Sequence, residues 1–178
     1  MNIREWTLPV YTILMQLATG VLLFLWIMRS FYQKKIGLDM MDRIVQYPII
    51  VILITIISGM IGSHFHLGKP FVSILSMVNF QTSWISREIT FTVCYFFFVC
   101  LLGILVWSRK SPAKLKTVVG WIAIGCGLST IYCMSRIYMI PIHPAWNTPI
   151  TFISFYGASL LLGVMSLTLI MYLEMKFA

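Results

Sequence analysis

The sequence has 178 residues, of which 60% are hydrophobic and only 10% charged, with a mean hydropathy of +0.92. That balance excludes an ordinary soluble domain, where roughly a quarter of residues are charged, and points to a polytopic membrane protein. The formal net charge of +8 does not indicate nucleic-acid binding, because the basic residues cluster in short segments between apolar runs, as topology signals do.

Five apolar runs are long enough to cross the ~30 Å of a hydrocarbon core. They predict an all-α fold, a single transmembrane bundle over 1–178 with spans at about 6–28, 47–66, 88–107, 118–138 and 149–173. The first run is too long and too aromatic for a signal peptide, and no small-residue cleavage site follows it. A polar loop, "RSFYQKKIGLDMMDR", separates the first two spans. In the second, Gly59 and Ser63 have the small-xxx-small spacing of a close helix contact. The loop "SRKSPAKLK" separates the third and fourth. Before the fifth, "PAWNTPIT" offers Thr148 as a cap, Pro149 as the first helical residue and Trp146 as an interfacial anchor. No internal repeat or low-complexity segment interrupts the chain.

Arg29, Lys34, Lys35, Arg43, Arg109, Lys110, Lys114 and Lys116 fall in the first and third loops, against Arg4, Lys69 and Arg87 on the other side. This bias places the basic loops in the cytoplasm and the N-terminus outward, in a bacterial cytoplasmic membrane. Cys94, Cys100, Cys126 and Cys133 lie inside spans and form no C-x-x-C pair, so they read as small packing residues and not as ligands of zinc or an iron–sulfur cluster.

The outer helix ends gather the unusual polar side chains: His64 and His66 after the second span, Glu88 at the start of the third, Arg136 and Tyr138 at the end of the fourth. A charge in hydrocarbon costs at least ~2.5 kcal/mol, and several such groups at one level make a better case for a site than any one alone. Each also has a bland explanation. His66 can be a plain interfacial histidine, Glu88 a first-turn acid favoured by the helix dipole, and Arg136 a snorkelling side chain. His64 is about 200° around the helix from His66 and reads as background. "PFVSILSMV" puts Phe71, Ile74, Leu75 and Val78 on one face, suiting either a short helix in the interface plane, begun by Pro70, or an ordered loop.

These residues carry a resemblance. "HLGKP" followed by "SWISREI", with "REWTLPVYTILMQLATG", "SRIYMIP" and "WNTPITFISFYGASLLLG", resembles the DmsC family. These are membrane anchor subunits of dimethyl sulfoxide reductase, within the broader polysulfide-reductase-like (NrfD-type) anchors. The resemblance implies a non-catalytic, electron-transferring anchor in anaerobic respiration. It would bind menaquinol and pass electrons to an iron–sulfur subunit, which feeds a molybdopterin catalytic subunit, with no haem or metal in the anchor itself. The family's quinol-site histidine falls on His66 and its essential glutamate on Glu88. Arg136, Tyr138 and Gly68 complete the expected site, Gly68 removing bulk where the chain turns and Pro70 starting the segment over the pocket. Family members usually have eight spans and this sequence has five. It reads as a truncated member, a piece of a split or frameshifted gene, or a shortened variant, with Lys176 on the cytoplasmic side.

The chemistry is consistent with that expectation. Quinol oxidation releases two protons and two electrons. A neutral histidine can accept a hydrogen bond from one hydroxyl, and a carboxylate at the boundary can take the other proton. Competing readings are a haem-b electron carrier, for which His66 and His143 are the candidate axial pair, a small transporter, which should show repeats or broken helices, or a structural membrane protein, and a non-functional fragment of the anchor.

Overall fold

The computed structural model describes residues 3–66, 79–108, 111–139 and 145–177. These residues form five α-helices and, among themselves, no strand: α1 Ile3–Ile36, α2 Leu38–His66, α3 Trp84–Trp107, α4 Ala113–Tyr138 and α5 Pro149–Phe177. All five are long and apolar enough to cross a membrane. The chain is a multi-pass membrane protein with the expected number and order of spans.

The helices run past the apolar windows. The expected loop between the first two spans is mostly helix, broken only at Gly37, whose φ of 92° no β-carbon-bearing residue adopts cheaply. The Gly37 amide closes α1 on the Gln33 carbonyl at 3.2 Å, and its own carbonyl accepts from Met41 at 3.1 Å to open α2. One residue thus makes a tight αα-hairpin. Nothing in the polar composition of that loop opposes helix, and water beyond the hydrocarbon does not end one. α3 also starts earlier than its apolar run, at Trp84, with the Ser83 hydroxyl accepting from the Ser86 amide at 3.4 Å. α5 begins at Pro149 as the sequence indicates.

α1 is the most buried helix and α5 the least. Tyr11, Met15, Ala18, Leu22, Leu25 and Trp26 recur at helical spacing on α1 and are buried. α2, α4 and α5 pack around it, and α3 packs on α4 and α2. Ile54, Ile61, Phe97, Ile104, Leu161 and Met165 point outward and exposed, as side chains facing lipid do. α1 and α5 approach closely at Gly20 and Gly163. A β-carbon on either would collide with backbone of the other helix, and the Ser159 hydroxyl donates across the seam to the Gln16 carbonyl at 2.8 Å. Small residues at a membrane helix crossing permit this contact. Gly59, expected in that role, meets only side chains of α1, Tyr11 and Met15 among them, at ordinary van der Waals distance.

Two of the expected loop cations belong to the core. Arg29 and Lys116 are buried and share Asp42, with Arg29 Nη2 3.1 Å from Oδ1 and Lys116 Nζ 2.6 Å from Oδ2. Arg29 Nη1 also donates to Thr117 Oγ1 at 3.2 Å, and the guanidinium lies 4.9 Å from the Trp26 ring centroid. The cluster ties α1, α2 and α4 together at one end. Lys34, Lys35, Arg43 and Lys114 remain exposed there, so the charge asymmetry of the loops persists.

Candidate functional site

The site is built at the opposite end, where α1 and α3 begin and α2 and α4 finish. Starting α3 at Trp84 moves Glu88 out of the first turn, which holds no acid. The helix-dipole explanation of this residue therefore fails. Glu88 instead points into the bundle, with 7% of its surface exposed.

Its neighbour is Tyr11, buried on α1. The Tyr11 hydroxyl reaches the Glu88 carboxylate and lies 2.9 Å from Thr92 Oγ1, one turn deeper on α3. The two hydroxyls can be ordered with Thr92 donating to Tyr11 and Tyr11 to the carboxylate. Cys133 of α4, also buried, is near enough to Glu88 for the two to interact electrostatically. Among the described residues the ion pairs are those of Asp42 with Arg29 and Lys116, and none involves Glu88. An ionisable group buried in a membrane helix without a counter-ion is the type that marks proton or substrate handling.

His66 is the last residue of α2. Gly59 packs on Tyr11, and His66 lies seven residues further out, a rise of about 10 Å. Glu88 is one turn, about 6 Å, outward of Thr92. The two backbone positions therefore occupy the same end of the bundle. The His66 side chain, like His64, Gly68, Lys69, Pro70, the stretch Phe71–Val78 and His143, lies outside what is described.

Arg136 is at the right end but not at Glu88. Its guanidinium sits 5.0 Å from the Trp84 ring centroid, and that of Arg87 4.3 Å from the same ring. Trp84 also meets Tyr132 edge-on at 5.8 Å. Trp84, Arg87, Tyr132 and Cys133 line a groove of about 510 Å³ between α3, α4 and α5, and Arg136 stands beside it against Trp84. Tyr138 turns the other way, its ring 5.3 Å from Phe155 and 6.0 Å from Trp146. The structure therefore brings Glu88 together with Tyr11, Thr92 and Cys133, and directs Arg136 and Tyr138 elsewhere. Tyr11 is the site residue that sequence reasoning misses; its one signal is a tyrosine two turns inside an apolar span.

The described residues contain no group of three or more histidine, cysteine or acidic side chains placed to hold a metal.

The family model described as DMSO reductase anchor subunit (DmsC) matches residues 1–177. The chain is 27% identical over 166 residues to an anaerobic dimethyl sulfoxide reductase chain of Haemophilus influenzae, covering 92% of this chain and 58% of that protein. It is 28% identical over 164 residues to the anaerobic dimethyl sulfoxide reductase chain YnfH of Escherichia coli, covering 90% and 55%. A shorter match, 27% identity over 117 residues, joins it to a sulfite dehydrogenase subunit of Allochromatium vinosum, covering 60% and 36%. The chain thus spans little more than half the length of the first two relatives. No solved structure matches it. A family match along essentially the whole chain, carried by a five-helix membrane bundle of the expected order, makes this chain a member of the DmsC family of DMSO reductase anchor subunits.

Proposed function

We propose that the chain binds and oxidises menaquinol as the membrane anchor of a dimethyl sulfoxide reductase-type complex. It lies in a bacterial cytoplasmic membrane with its N-terminus outward. The electrons pass to an iron–sulfur subunit docked on the outer face, and from there to a molybdopterin subunit. The observation that carries this reading is Glu88, a carboxyl group buried among Tyr11, Thr92 and Cys133 with no cation within 4.0 Å among the described residues.

In this reading His66 accepts the hydrogen bond and then the proton of one quinol hydroxyl, Glu88 takes the proton of the other, both protons pass on to water, and the two electrons go to the iron–sulfur subunit. Tyr11 holds the carboxylate in place from α1. The helix ends lie beside water, so the proton has a short way out, while the isoprenoid tail stays in hydrocarbon. The exposed cations at the far end, Lys34, Lys35, Arg43 and Lys114, support the orientation.

The test is Glu88→Gln in membranes that also contain the partner subunits. The amide keeps the shape and removes the proton acceptor. Quinol-driven turnover should fall by about 10²-fold or more, while a reduced dye that feeds the partner subunits directly should sustain normal turnover. Unchanged quinol-driven turnover at normal abundance would remove Glu88 from the mechanism.

A further inference from the structure

The groove between α3, α4 and α5 is not absorbed by the quinol chemistry. Its wall is aromatic, from Phe80, Trp84 and Phe91 on one side to Tyr132 and Tyr156 on the other, with Leu128 at depth. From Trp84 to Phe91 it runs about 10 Å inward from the helix ends. One end therefore lies at the membrane boundary and the other in hydrocarbon.

Its polar requirements lie only at the boundary end. The Tyr156 hydroxyl already donates to the Leu128 carbonyl at 3.1 Å, and the Ser129 hydroxyl to the Gly125 carbonyl at 2.8 Å. At the mouth, Arg87 and Arg136 crowd one indole, and neither is within 4.0 Å of a carboxylate among the described residues. Arg87 is partly spent on the Phe80 and Gln81 carbonyls, at 2.9 and 2.6 Å. Arg136 is not, and its Nε is buried without an acceptor. Two cations with no acid and one unused buried donor call for an anion, and the apolar trough beneath them calls for a hydrocarbon chain.

We propose that this groove binds one anionic phospholipid, its phosphate on Arg136 in the field of Arg87 and an acyl tail along Phe91, Leu128 and Tyr156. Guanidinium is the side chain best matched to phosphate oxygens. A quinol head group suits the groove less well. It is neutral, and its oxidation needs proton acceptors, whereas the arginines only donate and Glu88 is not among the residues that line the groove. The assignment is independent of the redox reading.

The test uses the full chain purified in mild detergent and examined by native mass spectrometry with an equimolar mixture of phosphatidylglycerol and phosphatidylcholine. One phosphatidylglycerol should be retained in preference. Arg136→Gln should weaken that preference roughly fivefold, the worth of one cation beside an anionic headgroup. Ser129→Trp should fill the groove and abolish retention, whereas Leu161→Trp on the exposed side of α5 should leave it intact. Equal retention of the two lipids, or a preference unchanged by Arg136→Gln and by the Arg87→Gln/Arg136→Gln pair, overturns the proposal. Displacement of the bound phosphatidylglycerol by a naphthoquinol analogue also overturns it and gives the groove to the quinol.

Discussion

Among the described residues Asp42 is the one anion paired with the two buried cations, and that imbalance makes a signed prediction. Asp42→Asn preserves the side chain's shape and one acceptor oxygen but leaves Arg29 and Lys116 buried together with no counter-charge. At an effective dielectric near 20, each of the contacts at 3.1 and 2.6 Å carries a gross attraction of about 5–6 kcal/mol. Desolvation offsets much of it, and removing the partner of a buried charge typically costs about 3–5 kcal/mol net. The Asp42 side chain is only 10% exposed, so solvent cannot take over its role. Lys116→Met behaves differently. It leaves one acid with one cation, removes the repulsion between Lys116 and Arg29, and should change stability by less than about 1 kcal/mol. Combining the two substitutions leaves a single buried cation and should recover about 1–2 kcal/mol of the Asp42→Asn loss. The measurement is unfolding by sodium dodecyl sulfate titration in mild detergent micelles, followed by circular dichroism. An Asp42→Asn variant within about 0.5 kcal/mol of the parent, or a Lys116→Met variant equally harmed, would refute the account of a cation-rich cluster held by one acid.

The seam between α1 and α5 gives a second stability test. Gly163→Ala drives a β-carbon into the Gly20 backbone and should cost about 1–3 kcal/mol. Gly125→Ala, with open space around the new atom, should be neutral or stabilise by up to about 1 kcal/mol. The two variants together separate steric contact from helix propensity in the same micelle assay. Topology is checked by single cysteines at Ser111 and Gln81, probed in intact cells with a membrane-impermeant maleimide; only the second should react from outside. Equal labelling would sink the N-out orientation.

Composition and hydrophobic run length make the five spans legible, because a bilayer demands about twenty apolar residues per crossing whatever the packing. The helix ends are not legible from the same signal. Hydropathy reports where hydrocarbon stops, while the helix goes on until a capping residue or a glycine such as Gly37 ends it. Glu88 stands out because an acid beside an apolar run is conspicuous. Its burial does not, since that depends on α3 starting at Trp84 behind the Ser83 cap, which hydropathy does not register. Arg29 and Lys116 mislead for the opposite reason. Positive-inside counting treats every loop cation as solvated, and only the fold shows which of them Asp42 has drawn inside. The Gly20–Gly163 crossing joins residues 143 positions apart, and no local pattern announces such a pair.

The contrast between the two buried acids bears on how the bundle divides its work. Asp42 and Glu88 are buried to the same degree, 7% exposed each, at opposite ends of the bundle. Asp42 is closed by two cations, and its role is to hold α1, α2 and α4. Glu88 has a phenol and a thiol for neighbours, and neither supplies a fixed positive charge. Stability alone does not favour that arrangement, because a carboxyl group without a counter-ion costs more in a bundle than the apolar residue that could replace it. The end that gives up stability in this way is the one where α2 terminates in His66. α1, α2 and α4 are held at the Asp42 end, so in the proposed reading a change of protonation at Glu88 would leave that packing in place.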